Sequence, residues 1–321
     1  MQLRKFFLFS LIIAAALAAC NNPGPIDVSN PIGFKQKSGL FALQVPKSWT
    51  SSQDEVSTEA IASFADTTHR AELIGYVGLL DHQLSDAEGL QIAADLAGNL
   101  LNQPGDLKIT DKYRQPDGAF VAVFTFTRAG APRTGQAIFR DADLSLAGTL
   151  INGPVDGWAD LQKSLQPFVD SFKVDKDFIQ GTYFTPIDTD AYAVVVPVGW
   201  AQQKSKTNNE VEVKAPNGRL SIIGVQLIVT NTLDDTALAN QAVSILKQAY
   251  RLDNTLSDTS KLPDGRLRLG LDRTDRHTVG YVEQKDGYFI GLFFDVPTQQ
   301  LLAYQSFIDF VYSTFVTGKA K

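Results

Sequence analysis

Cysteine is nearly absent from this sequence: the 321 residues include one, Cys20. A single cysteine excludes an intrachain disulfide and any metal site built from several thiolates. The chain also lacks clustered basic residues, and its net charge is −6. Nucleic-acid binding needs such clusters to neutralise phosphates, so we expect no nucleic-acid partner. The composition, 44% hydrophobic and 20% charged, is that of a globular protein, and the length suggests about two domains.

The first residues carry the pattern of a secretory signal peptide. Arg4 and Lys5 precede an apolar stretch from Phe6 to Leu17, interrupted once by Ser10. This stretch is shorter than the roughly 20 residues that a membrane-spanning helix needs. A basic start followed by a short apolar segment predicts export and cleavage, with residues 1–19 as the signal peptide.

The apolar stretch ends in Leu17-Ala18-Ala19-Cys20, with the only cysteine of the chain in last place. This motif resembles the lipobox of bacterial lipoproteins, in which the thiolate of the cysteine takes the lipid. The resemblance implies diacylglyceryl transfer to Cys20, cleavage before it and N-acylation, with acyl chains such as palmitate. An ordinary signal peptide with a chance cysteine, or a short N-terminal anchor, is the alternative.

Residues 20–36 read as a lipidated cysteine followed by a tether. Its first part holds three prolines, three asparagines and a glycine without any helix or strand pattern. Fully extended, the segment 21–31 reaches about 35–40 Å. We therefore expect the first domain to stay close to a bacterial membrane, on its extracytoplasmic side, and a partner to be found there.

The remainder reads as an internal duplication. Residues 41–49 and 192–200 are each an aromatic-led strand that a proline stops, followed three residues later by Trp49 or Trp200. Further matches follow in the same order along both halves. Repeats of this length are whole domains rather than solenoid units. We predict domain 1 at 37–174, a linker at 175–189 and domain 2 at 190–318.

Each repeat contains the same succession of predicted elements. Strands are followed by an amphipathic helix, which in the first repeat covers about 86–102 with Ser85 as its N-cap. A Pro-Asp-Gly turn, at 116–118 or 263–265, then joins two further strands, and a last helix closes the repeat. This order predicts an α+β fold with two tandem α/β/α sandwich domains, each a mainly antiparallel sheet flanked by helices.

One strand differs between the repeats. In the first repeat the strand from Phe120 to Phe126 is apolar on both faces. In the second, Leu267, Leu269 and Leu271 keep one face, while Arg266 and Arg268 lie on the other. We therefore expect a wetter sheet face in domain 2 and consider both arginines for a binding surface.

The arrangement resembles the Mog1/PsbP-like family. The resemblance rests on the strand–Pro–x–x–Trp opening, the helix in mid-domain, the Pro-Asp-Gly hairpin and the closing helix that ends in phenylalanine. These features occur twice and together cover nearly all of the mature chain. It implies a sheet flanked by helices and non-enzymatic roles in the assembly or regulation of other proteins. No specific partner carries over.

Residues suited to catalysis or metal binding are few. His69, His82 and His277 form no H-E-x-x-H pair, and each is expected to lie on the surface. Asp141 and Asp143 have the first spacing of a calcium loop, but the required glycine and final acidic residue are missing. No nucleophile elbow or phosphate-binding loop occurs. We therefore expect no enzyme, no metal and no cofactor.

The leading hypothesis is a membrane-anchored, non-enzymatic lipoprotein that binds an unidentified envelope protein. Trp49 and Trp200, which follow the duplicated strands, and Arg266 and Arg268 are its candidate surface residues, although a tryptophan in this position more often covers the end of a core. The alternative is a carrier of an apolar small molecule or lipid, which needs a cavity lined by the Phe-rich strands, and a hydrolase is less favoured.

Overall fold

The computed structural model describes residues 24–56, 59–142, 144–204 and 210–318. Domain 1 consists of ten strands and two helices: β1 (Pro31–Lys35), β2 (Phe41–Pro46), β3 (Thr50–Val56), β4 (Glu59–Ala65), β5 (Glu72–Leu79), α1 (Asp86–Leu100), β6 (Lys108–Arg114), β7 (Phe120–Arg128), β8 (Ala131–Ala142), β9 (Ser145–Pro154), α2 (Trp158–Asp170) and β10 (Lys173–Val174).

A short helix, α3 (Lys176–Tyr183), leads into domain 2. This domain repeats the same order: β11 (Phe184–Asp188), β12 (Tyr192–Pro197), β13 (Ala201–Lys204), β14 (Glu210–Lys214), β15 (Ser221–Ile228), α4 (Asp235–Tyr250), β16 (Thr255–Lys261), β17 (Leu267–Asp272), β18 (Arg276–Lys285), β19 (Tyr288–Pro297), a 3-10 turn (Thr298–Gln300), α5 (Leu301–Ser313) and β20 (Val316–Thr317).

The two domains share one sheet topology. In domain 1 seven antiparallel strands lie in the order β3-β4-β5-β9-β8-β7-β6, and in domain 2 the order is β13-β14-β15-β19-β18-β17-β16. A three-stranded sheet accompanies each of them, β1-β2-β10 and β11-β12-β20. The matching orders confirm the predicted α+β class with mainly antiparallel sheets.

Each large sheet is covered on both faces. In domain 1, α1 packs on one face against Phe120, Phe124 and Phe126 of β7. On the opposite face lie α2, through Leu165 and Phe168, and the small sheet. Domain 2 repeats these layers with α4 and α5. Because neither face is open, β19 is buried along its whole interior.

The predicted N-terminus of α1 is present as a capping box. The Glu88 backbone N–H donates to Ser85 Oγ over 3.3 Å, and the Ser85 N–H donates to the Glu88 carboxylate over 3.2 Å. Asp234 accepts the equivalent bond at the start of α4. Short polar side chains in these places satisfy backbone donors that the first helical turn leaves open.

A hydroxyl joins the last helix to the small sheet in both domains. Ser171 Oγ accepts from the Gln44 N–H over 2.7 Å and donates to the Phe168 carbonyl over 2.6 Å. Thr314 Oγ1 accepts from the Val195 N–H over 3.1 Å and donates to a carbonyl of α5 over 2.7 Å. The side chain satisfies a strand N–H that has no neighbouring strand at that point.

Two boundaries differ from the sequence prediction. The expected tether 20–36 ends in a strand, because β1 pairs with β2 from Pro31 to Lys35 and Phe34 packs edge-on against Phe64 at 4.7 Å. The expected linker 175–189 contains α3 and β11, and β11 pairs with β12. Proline and glycine residues occur in both segments, whereas tertiary packing places a strand at a sheet edge in each of them. Within the described ranges, no helix is both long and apolar enough to span a bilayer.

Candidate functional site

The segment that leads into domain 1 lies on the domain itself. The Trp49 indole N–H donates to the Asp27 carbonyl over 2.8 Å, and the Arg70 guanidinium donates to the Gly24 carbonyl. Ile26 and Val28 pack against the core beside them. The lipobox residues Leu17, Ala18, Ala19 and Cys20 lie outside the described residues. Gly24, the first described residue of this segment, is four positions after Cys20.

Both tryptophans belong to the core. Trp49 is 8% exposed and Trp200 is 7% exposed. The Trp200 ring stacks on Phe307 of α5, with centroids 5.5 Å apart. Each ring covers the end of its domain, and the indole N–H of Trp49 is used for Asp27. Neither presents a ring face that a ligand could reach.

The two candidate arginines have different surroundings. Arg266 is engaged on several sides: its Nε atom bonds Glu283 over 3.0 Å, its Nη2 atom donates to the Phe315 carbonyl over 3.1 Å, and its guanidinium lies over the Phe315 ring. Arg268 is more exposed and lies 3.5 Å from Asp258. The expected wet face of domain 2 is therefore partly covered by α5, and Arg268 is the more accessible of the two.

The domains meet at a polar junction that the sequence analysis missed. His82, expected on the surface, has a side chain only 10% exposed. Its ring packs on Tyr304 of domain 2 with centroids 5.0 Å apart, and its Nδ1 atom lies 2.6 Å from Asp81 Oδ1. Beside it, Arg219 of domain 2 pairs with Glu88 of α1 over 3.3 Å. A residue read as a lone surface histidine therefore connects the two repeats.

Backbone and hydroxyl groups reinforce this junction. The Gln83 N–H donates to the Ala303 carbonyl over 2.8 Å, and the Tyr183 hydroxyl of α3 donates to the Val77 carbonyl over 3.2 Å. One continuous cluster of buried apolar side chains also runs through both domains. The tandem domains therefore form one packed body rather than two units on a flexible linker.

We expect the contribution of His82 to the stability of the folded chain to fall as the pH rises. The hydrogen bond to Asp81 raises the pKa of His82 above its ordinary value of 6.5, with Asp81 and Glu88 charges adding to it while burial and Arg219 oppose it. The protonated ring faces Tyr304. Its stabilisation is complete below pH 6.5 and is lost as the pH rises through the pKa of the folded state.

Urea unfolding of the full chain measures this effect between about pH 5.5 and about pH 8.5. The His82→Asn variant should lose less stability than wild type over this range. A His277→Asn variant is the matched control, because His277 pairs with Asp272 in domain 2, away from the junction. Equal pH profiles for wild type and His82→Asn would contradict the role of His82.

Two arginines at equivalent positions, one buried and one half-buried, are a second feature that sequence reasoning missed. Arg133 is 4% exposed and donates to the His69 carbonyl over 2.9 Å and the Arg70 carbonyl over 2.7 Å. Arg276 donates in the same way to the Arg219 carbonyl over 2.9 Å. Both arginines are register partners of the proline that ends the neighbouring strand. The equal sequence spacing of arginine and proline in both repeats was the available signal. It indicates a structural role, in which each arginine holds the turn whose carbonyl accepts its hydrogen bond.

Few groups suited to catalysis or metal binding are described around the other two histidines. His277 Nδ1 lies 2.6 Å from Asp272 Oδ1, and His69 contributes its carbonyl to Arg133. In the part of the chain that the structure describes, no three His, Cys, Asp or Glu side chains lie close enough to hold a metal ion. Asp143 of the calcium-like pair lies outside the described residues.

Comparison with known proteins gives distant structural matches. No family model and no curated protein sequence matches the chain. Cyanobacterial PsbP (CyanoP) from Synechocystis sp. PCC 6803 is 16% identical, covers 42% of this chain and 93% of its own, and has a TM-score of 0.34. A point mutant of Mog1 is 14% identical, with 47% and 99% covered and a TM-score of 0.33.

LpqN of Mycobacterium tuberculosis, described as involved in cell envelope biogenesis, is 12% identical. It covers 47% of this chain and 99% of its own, with a TM-score of 0.25. Each of these three solved structures thus corresponds in length to about one of the two repeats. The chain has structural neighbours that include PsbP, Mog1 and LpqN, all of them at low similarity.

Proposed function

We propose that the protein is an extracytoplasmic lipoprotein, anchored to a bacterial membrane through Cys20, that acts without catalysis as a binding or assembly module for an envelope protein. The observation that carries the proposal is the Leu17-Ala18-Ala19-Cys20 motif, which ends in the only cysteine of the chain. Two or three acyl chains on one cysteine anchor a protein stably, since each buried methylene contributes about 0.8 kcal/mol.

The docked segment after the motif supports a role close to the membrane. Gly24 and Asp27 are held by Arg70 and Trp49 of domain 1. The residues between Cys20 and Gly24 can span at most about 14 Å. A lipid on Cys20 would therefore keep this edge of domain 1 at the bilayer surface, where an envelope partner is accessible.

The surroundings of the histidines favour binding over catalysis. His82 and His277 each have an aspartate as the hydrogen-bond partner of the ring. Among the described hydrogen bonds, none joins either ring to a serine or threonine hydroxyl, as a histidine base would need for nucleophilic catalysis. Neither ring has a histidine counterpart in the other repeat: Asn231 stands at the position of His82, and Thr134 stands at the position of His277.

The carrier alternative finds less support. The enclosed void beneath the small sheet of domain 2 has about 10 Å³, which is about the space for one water molecule. It is lined by aliphatic side chains around Tyr192 and Val213. The apolar residues of β19, which could have lined a lipid cavity, pack on both faces of the sheet instead.

We expect replacement of Cys20 by alanine to abolish lipid attachment. Cells that express the full chain are fed an alkyne-labelled fatty acid, and the wild-type protein should carry the label and sediment with membranes. The Cys20→Ala form should carry no label, and its membrane-bound fraction should fall at least tenfold, because the thiol is the acyl acceptor. Label and sedimentation equal to wild type would refute the anchor.

The binding role is tested by crosslinking of the lipidated protein in its native membrane, followed by affinity purification and mass spectrometry. A stoichiometric envelope protein that is lost with Cys20→Ala is the expected result. Recovery of lipid or another small molecule without any protein would contradict the binding module and favour the carrier.

A further inference from the structure

The duplication allows each position of one domain to be compared with its counterpart in the other. Ile138 pairs with Thr149 across β8 and β9, and Tyr281 pairs with Leu292 across β18 and β19. The strand orders of the two sheets are the same. Ile138 therefore corresponds to Tyr281, and Thr149 corresponds to Leu292.

The last helix and the hairpin can be aligned in the same way. The equivalent hydroxyls of Ser171 and Thr314 align α2 with α5, so that Val169 corresponds to Tyr312. In the hairpin turns, the carbonyls of Ala119 and Arg266 accept from the residues before the Pro-Asp-Gly sequence, which makes them equivalent too.

In domain 2 these positions are filled by large side chains. The rings of Tyr281 and Tyr312 stack with centroids 3.9 Å apart. The Arg266 guanidinium lies over Tyr312 at 5.5 Å and bonds Glu283, and the Tyr312 hydroxyl donates to Asp264 over 2.6 Å. The space between helix and sheet is closed there.

In domain 1 the same three positions hold Ile138, Val169 and Ala119, all of them smaller. A pocket of about 240 Å³ lies at this place, between the hairpin, β8–β9 and the end of α2. Because the surrounding backbone is the same in both domains, the smaller side chains account for the opening. The pocket is therefore a difference between two copies of one fold and not a general feature of the fold.

The lining of the pocket combines an apolar floor with polar walls. Ile138, Val169 and Thr149 are buried at its base, and the Phe172 ring also lines it. Five further positions complete it: Gln115, Arg140, Gly148, Gln166 and Asp170. Amide and hydroxyl groups both donate and accept hydrogen bonds, so the walls suit a ligand whose groups do the same.

The two charged residues at the mouth are already paired. The Arg140 guanidinium bonds Asp117, and Asp170 Oδ1 accepts from Gln166 Nε2 over 2.8 Å. A strongly charged ligand would have to break these pairs. Ligand hydroxyls can instead add hydrogen bonds to the partly used carboxylate and amide oxygens.

We propose that this pocket binds one neutral sugar ring, with the C–H face of the ring against Ile138, Val169 and Phe172 and its hydroxyls on Gln115, Thr149 and Gln166. The volume is below the roughly 300–1,000 Å³ of drug-sized sites, so it accommodates one ring and leaves the remainder of a longer glycan outside. The site is independent of lipid attachment, so the Cys20→Ala form should keep it.

Saturation-transfer NMR on the full-length protein tests the site, with glucose and N-acetylglucosamine as free sugars and soluble fragments of the bacterial cell wall as the glycan. We expect millimolar binding, typical of a single small ligand with few contacts. Transfer from the free sugars indicates a soluble ligand, and transfer from the wall fragments alone indicates a glycan of the envelope. Absence of transfer from all of them would overturn the proposal.

Three variants test whether the sugar binds in this pocket. Val169→Tyr places in domain 1 the residue that fills the equivalent space in domain 2, and it should abolish saturation transfer. Lys163→Tyr adds the same side chain on the exposed side of α2 and should leave binding unchanged. Gln166→Ala, which removes a polar wall without adding volume, should raise the Kd at least tenfold. Wild-type affinity in both Val169→Tyr and Gln166→Ala would refute this pocket as the site.

Discussion

Replacement of Asp295 by alanine is expected to destabilise domain 2 by about 3 kcal/mol. The Asp295 carboxylate is 7% exposed and accepts from Arg273 over 3.0 Å, from Arg276 Nε over 2.5 Å and from Thr278 over 2.9 Å. The alanine variant leaves two guanidinium groups near one another without their shared acceptor. Removal of one partner from a buried ion pair costs about 3–5 kcal/mol, and the partial exposure of the arginines favours the lower end.

A loss of this size is a large part of the total, since domains are stable by only about 5–15 kcal/mol. Thermal unfolding of the full chain should show a midpoint lower by roughly 10 °C. Asp258→Ala is the matched control, because Asp258 is 63% exposed and pairs with Arg268 at the surface of the same domain. That variant should remain within about 0.5 kcal/mol of wild type. Equal midpoints for the two variants would show that the Asp295 cluster is not required for stability.

Replacement of Gly148 by alanine is expected to cost about 3 kcal/mol or more. Gly148 lies in β9 opposite Phe139 of β8. A Cβ atom at this position would overlap the carbonyl oxygen of Ile138 and come within 2.8 Å of the Phe139 Cα atom. These are backbone atoms of a central strand pair, so relief requires displacement of the hydrogen-bonded ladder itself.

The yield of folded protein and the urea midpoint of the Gly148→Ala variant measure this cost. Gly105→Ala is the control, because its Cβ would meet nothing within 4 Å. The control should be neutral or slightly stabilising, by up to about 1 kcal/mol, since alanine reduces the entropy of the unfolded chain. A Gly148→Ala midpoint equal to that of the control would contradict the close strand approach.

Elements whose signals are local could be predicted from the sequence. The Ser85 cap of α1, the strands that end at Pro46 and Pro197 and the Pro-Asp-Gly hairpins all lie where their residues indicate. Each of these signals acts within a few residues of the chain. The same signals recur in both repeats, and their shared order indicates the order of elements in each domain.

Features that depend on distant contacts could not be predicted. Pro31–Lys35 has the composition of a tether, but Phe34 packs on Phe64 and the segment becomes a strand. His82 has nothing in its neighbourhood in sequence that indicates burial, because Tyr304 covers it from the other domain. The pocket of domain 1 likewise follows from Ile138 and Val169 only once the register of both sheets is known.

The junction joins two copies of one fold through different surfaces, so it is a head-to-tail contact. Such contacts can repeat without limit and produce filaments when both copies keep both surfaces. Here they do not: Asn231 takes the place of His82 in the loop before α4, and Leu161 takes the place of Tyr304 in α2. The two repeats therefore differ at both positions of this ring contact, and a second copy of the contact between His82 and Tyr304 could not form from the opposite surfaces.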